Sequence, residues 1–198
     1  MQVRKILSRE EMEKRDRKRK IIISVVLAVI MLFSSAGYAF FSNEKTTTKT
    51  QTIKYGGVEF TKTEYGTWQF SQGNYQFETK FMPNDTANIS SQISKTLDSY
   101  YQKPLYFGIN SKEDISTSGE SEIIRNMANL IERYDLSCLN ENCTEDKPIK
   151  DCSVSNVIIF KESNESAVKT EEGCIILYSP LYEQERTSDA FLFKILGL

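Results

Sequence analysis

The 198-residue chain contains no histidine. That absence removes Ser–His and Cys–His nucleophilic pairs, the commonest zinc ligand and the commonest general base near neutral pH. Phosphate-cradling glycine loops are missing as well, with no G-x-x-x-x-G-K-S/T and no G-x-G-x-x-G run. Gly119-Glu120-Ser121-Glu122-Ile123 lacks the second glycine of a nucleophile elbow. Acidic stretches such as Asn140–Asp146 do not fit the spaced ligand loop of a calcium site. Two carboxylates suffice to hydrolyse a glycoside, but 27 acidic residues contain many pairs and the sequence selects none. The expectation is therefore no catalytic residue, no cofactor and no metal.

What the chain does have begins with one junction. Lys14-Arg15-Asp16-Arg17-Lys18-Arg19-Lys20 abuts an apolar run, Ile21 to Phe41. Its first part, IIISVVLAVIMLF, is relieved only by Ser24, and Tyr38, Phe40 and Phe41 fall where interfacial aromatics sit. At about 1.5 Å per residue, such a run covers the roughly 30 Å hydrocarbon core of a bilayer. No polar face is present for a solvent-facing helix. Residues 1–20 carry nine Lys/Arg against four Asp/Glu, whereas residues 42–198 carry sixteen against twenty-three. The positive-inside bias then predicts a cytoplasmic N-terminus and an external C-terminal part. The competing reading is a removable signal peptide, with Gly37-Tyr38-Ala39 supplying small residues before a cleavage site. Ser8-Arg9-Glu10-Glu11 has capping-box spacing and predicts a helix running into the span.

The organisation that follows is a basic cytoplasmic segment at 1–20, a transmembrane helix at 21–41, a Thr- and Lys-rich stalk at 42–52 and one external domain at 53–198. The acidic domain has no basic stripe, which argues against nucleic acid. The expected partners are the lipid bilayer and a protein of the membrane or envelope.

All four cysteines, Cys138, Cys143, Cys152 and Cys174, lie beyond the span, and an even number in an oxidising compartment implies two disulfides with three connectivities. Cys152 and Cys174 sit symmetrically about Ser163. If the intervening segment folds as one long hairpin, they face each other at roughly 4.5–5.5 Å, within disulfide reach. Cys138 then pairs with Cys143. If Ser166–Thr170 is instead a middle strand, Cys152 and Cys174 lie two strands apart, roughly 10 Å, too far without an edge shift. Cys138-Leu-Asn-Glu-Asn-Cys143 lacks the two-residue spacing of redox-active thiols. Four N-x-S/T sequons, at Asn84, Asn88, Asn142 and Asn164, also fall in the external part.

Secondary structure is legible in outline. Ile53-Lys54-Tyr55 and Val58-Glu59-Phe60 flank Gly56-Gly57, a hairpin signal. Trp68-Gln69-Phe70 and Tyr75-Gln76-Phe77 alternate, which puts Trp68, Phe70, Tyr75 and Phe77 on one face, read as the core side of a sheet. Ile89, Ile93, Leu97 and Tyr100/Tyr101 recur at helical spacing. Leu105–Ile109 reads as a buried strand. Ile123, Ile124, Met127, Leu130, Ile131 and Tyr134 predict a helix, with Glu122, Arg125, Asn129 and Glu132 on its other side and Thr117/Glu120 at its start. Val154–Phe160 and Cys174–Tyr178 read as strands, and a last helix carries Phe191, Leu192, Ile195 and Leu196, capped by Asp189 and ended by Gly197. The fold class is α+β, or mixed α/β.

Some short stretches resemble a family of uncharacterised single-pass membrane proteins from small-genome archaea. They are Ser34-Ser35-Ala36-Gly37-Tyr38-Ala39-Phe40, Val58-Glu59-Phe60-Thr61-Lys62-Thr63, Cys152, Val157-Ile158-Ile159-Phe160, Asn164-Glu165-Ser166, Gly173-Cys174-Ile175-Ile176-Leu177 and Phe193-Lys194-Ile195-Leu196-Gly197. The resemblance implies a membrane anchor and an external domain, and carries no activity. Two functions follow as expectations: a non-catalytic binding or complex-assembly module, or an anchored or secreted enzyme using thiol–disulfide exchange or carboxylates.

Overall fold

The computed structural model describes residues 17–31, 51–109, 118–141, 143 and 146–198. The chain divides into two units, residues 1–48 and 49–198. In the first, residues 17–31 form helix α1, whose apolar side chains from Ile21 to Met31 are all exposed. Among the described residues no helix is long and apolar enough to cross a membrane. The second half of the 21–41 run, the 8–11 capping box and the 42–50 part of the stalk lie outside the described residues.

The second unit is α+β and contains two sheets. Four strands, β1 (Thr52–Tyr55), β2 (Val58–Lys62), β3 (Trp68–Gln72) and β4 (Tyr75–Thr79), form an antiparallel meander in chain order. Gly56 and Gly57 both have positive φ, as a two-residue turn with the right twist for a hairpin requires. Period-two alternation places Phe60, Trp68, Phe70 and Phe77 inward, with Phe70 opposite Phe77 and their rings stacked at 5.4 Å. Tyr75 shares that face but is only half-buried, meeting Tyr101 at the margin.

The second sheet has six strands: β5 (Ser90–Gln92), β6 (Leu105–Ile109), β7 (Tyr134–Cys138), β8 (Asn156–Glu162), β9 (Ala167–Glu171) and β10 (Cys174–Ser179), in the order β5-β9-β10-β8-β6-β7. Strands β10, β8, β6 and β7 are mutually parallel, while β9 is antiparallel to β10. Helix α3 (Ser118–Met127) links the parallel neighbours β6 and β7, as such a crossover demands. Helix α2 (Pro83–Thr86) follows the meander, and α4 (Gln184–Leu196) ends the fold. Of α4, Thr187 through Phe193 is buried without interruption. It touches both sheets: Phe193 lies 6.3 and 6.1 Å from the rings of Phe60 and Phe70, and the other side of α4 packs on β10, β9 and β5. Gly197 ends α4 in the left-handed conformation, its N–H returning to Lys194.

Four expectations are corrected. The 89–101 stretch is no helix but strand β5 and a 3₁₀ turn, Leu97–Ser99. Ile89 and Ile93 are four apart, a spacing that fits alternation along a strand as well as a helical turn. The predicted helix stops at Met127, and Tyr134 opens β7 instead of continuing the stripe. Glu122 is not on a solvent side but buried against α4. Asp189 is no cap: it lies within α4 and accepts the backbone amides of Lys80 and Phe81.

The strand register around Ser163 also differs. β8 and β10 are parallel neighbours, Ile158 opposite Ile175, because β9 is a full strand that turns into β10 at Glu172-Gly173, both at positive φ. The wholly apolar interior of β10 takes the central slot, whereas half-polar β9 moves outward beside β5.

Candidate functional site

Alternation gives the six-stranded sheet two faces. Leu105, Phe107, Ile158, Phe160, Ile175 and Leu177 join the core beneath α3 and α4. Tyr106, Val157, Ile159, Cys174 and Ile176 point the other way and form a separate apolar cluster. Among the described residues no helix packs on this second face. It is covered instead by the β7–β8 connection, of which residues 142, 144 and 145 are outside the described set.

Three points hold that connection down. Leu139 sits on Gly108, where an added Cβ would come within 2.8 Å of its Cδ2. Lys150 places Nζ 4.7 Å from the ring centre of Tyr106. Cys152 is bonded to Cys174 at the start of β10, with Cα atoms 4.8 Å apart. Backbone bonds from Cys138 N–H to Pro148 and from Lys150 N–H to Cys138 lay the returning strand of the connection alongside the end of β7. The second disulfide, Cys138–Cys143, closes the tight loop between. The domain is therefore disulfide-stabilised, and both bridges fall on this strap.

Between strap and sheet lies an open groove of about 690 Å³, within the range of small-ligand sites. Ile159 and Ile176 form its floor, and Lys150, Asp151, Lys161, Glu171 and Glu172 supply the charged groups around it. Lys161 and Lys169 both rest near the ring of Tyr178, at 5.7 and 5.5 Å, and Glu171 accepts the Tyr178 hydroxyl. Burial, followed by that bond to Glu171, raises the Tyr178 phenol above its ordinary value. Across the face, the Arg133 guanidinium donates to the Tyr106 hydroxyl and, with Lys150, lowers that phenol. Asp151 is lowered by the Ser153 backbone amide it accepts. The chemistry is that of a holding site: an aliphatic floor with ammonium groups and carboxylates interspersed around it, and the sulfur atoms tied in a disulfide.

Other residues singled out in the sequence are scattered. Asn84, Asn88 and Asn164 are exposed, Asn88 with its carbonyl oxygen held by Arg186, and Asn142 lies outside the described residues. Among the described residues no group of three or more Asp, Glu or Cys is placed to hold a metal ion. The groove residues had no motif to announce them. Their only signal was the run Val157–Phe160, whose apolar character at every position marks a strand covered on both faces. Comparison with family models, curated proteins and solved structures finds no match to this chain.

Proposed function

We propose that this is a single-pass membrane-anchored protein whose external domain is a non-catalytic binding module, with the strapped groove as its ligand seat. The observation that carries the reading is the groove itself: an aliphatic floor with a charged rim, on a sheet face that no helix covers among the described residues, under a strap tied by a disulfide. The anchor rests on the sequence step from a basic segment to an apolar run, and on α1, which turns apolar side chains outward all round. The resemblance to single-pass proteins supports the same topology.

The test is a photo-crosslinking residue in place of Lys161, on the groove rim, in the full-length protein in native membranes. The expected result is one discrete adduct that is absent with the same residue in place of Tyr65, which is 83% exposed in the β2–β3 turn. Equal adducts at the two positions, or none at Lys161, would contradict the groove as the seat.

A further inference from the structure

The α3–α4 contact buries two carboxyl groups against each other. Asp189 has no exposure and Glu122 is 4% exposed. Asp189 Oδ2 accepts two backbone amides, Lys80 at 3.0 Å and Phe81 at 2.9 Å. Its Oδ1 is buried and, among the described residues, meets no protein donor. The Glu122 carboxyl is buried in the same α3–α4 contact, close enough to Asp189 for the two groups to interact directly, and two carboxyl groups can share a hydrogen bond only when one of them carries the hydrogen. We propose that Asp189 and Glu122 hold a single proton between them, so that the α3–α4 contact is a clamp that acid closes and alkali loosens.

The surrounding charges fit one proton and no more. On α3, Arg125 donates Nη2 to both Glu122 oxygens, one cation against two carboxylates. Lys80, after β4, is taken up by Glu185 of α4. Glu78 of β4 is engaged by Thr67 and Gln69. Asp85 of α2 turns to the Met82 amide, and Arg186 of α4 is spent on the Asp85 carbonyl and on Asn88. Among the described residues no second cation reaches the pair, and two ionised carboxylates in contact away from water are costly. Arg125 keeps the charge on Glu122, so the proton resides on Asp189 Oδ1, the atom otherwise without a partner. Burial raises both groups, Asp189 strongly and Glu122 less.

Groups raised in the folded state bind a proton that the unfolded chain has released. Their stabilisation is complete below the ordinary values of 3.8 and 4.5 and is lost as pH rises through the folded values. The clamp also governs a sheet edge. Asn126 on α3 bonds both the N–H and the C=O of Glu78, at 2.7 and 2.8 Å, and covers the outer edge of β4.

The test is urea unfolding of the full-length protein in detergent micelles from about pH 5 to about pH 8. In the parent protein the folding constant should fall by up to about tenfold per pH unit over the window where one proton is retained. Glu120, pushed up to about 7 by burial on α3, adds a slope of the same sign, so the series is run in a Glu120→Gln background. Asp189→Asn keeps an acceptor for the two amides and should remove the remaining slope; an unchanged slope would overturn the proposal. Infrared spectra of the parent protein with isotope-labelled aspartate keep the idea testable if that variant fails to fold. A protonated carboxyl band at neutral pH, absent after Glu122→Gln, is expected; carboxylate bands alone would overturn it.

Discussion

Replacing both members of the Cys152–Cys174 bridge by alanine should destabilise the domain more than replacing both members of Cys138–Cys143. The bridges close segments with sequence separations of 22 and 5. On the chain-entropy estimate these loops restrict the unfolded chain by about 3.4 and about 2.1 kcal/mol. For a domain of about 150 residues, each kcal/mol shifts the melting temperature by roughly 2–4 °C, giving drops of roughly 7–14 °C and roughly 4–8 °C. The structure adds to the longer loop, because Cys152 pins the strap over Ile159 and Ile176. The buried Cys138 adds to the shorter one through lost packing, so the expected gap narrows but keeps its sign. Calorimetry of the two double variants, in matched detergent and without reductant, reads the comparison directly. An equal or larger drop for the Cys138/Cys143 variant would refute the reasoning, as would a Cys152/Cys174 variant that melts like the parent.

Other consequences are as concrete. Asn126→Ala removes two hydrogen bonds to the Glu78 backbone, leaving its N–H without a side-chain acceptor and its carbonyl with only Arg125 Nη2 at 3.4 Å, and should cost about 1–3 kcal/mol, read from the urea midpoint at constant slope. Gly119→Ala would put a Cβ 2.4 Å from Phe160 Cε1 and 2.9 Å from Ser188 Oγ, and should cost about 1–3 kcal/mol by overpacking. Glu78 is lowered first by Gln69 and then by Thr67. Its stabilisation is present above its ordinary value of 4.5 and disappears as pH falls through the lower folded value. Gln69→Leu should therefore shift the acid limb of a thermal-unfolding profile toward higher pH.

The meander was legible because its cues are local. Gly56-Gly57 fixes one hairpin, and alternation around Trp68–Phe77 fixes the next. Strands β6, β8 and β10 were visible as apolar runs, but their pairing was not, since a run buried on both faces carries no register. The structure pairs Cys152 with Cys174 as the symmetry about Ser163 suggests, but not through a hairpin: β10 enters beside β8 in parallel, a long-range choice that the symmetry did not contain. Strand β7 was hidden because Tyr134 also continued the helical stripe of α3. Glu122 and Asp189 read as surface and cap residues for a related reason: periodicity assigns a helix one buried side, and α3 and α4 each pack on several elements. The groove depends on a connection folding back across a sheet face, and no short motif encodes that.

In the proposed topology the 21–41 run crosses a membrane and the domain lies outside it. Protease added to intact cells, with epitopes at both ends of the full-length protein, measures this most directly. Removal of the region after Ser42, with residues 1–20 spared, is the expected result. A C-terminal domain that stays protected until the membrane is broken would contradict it.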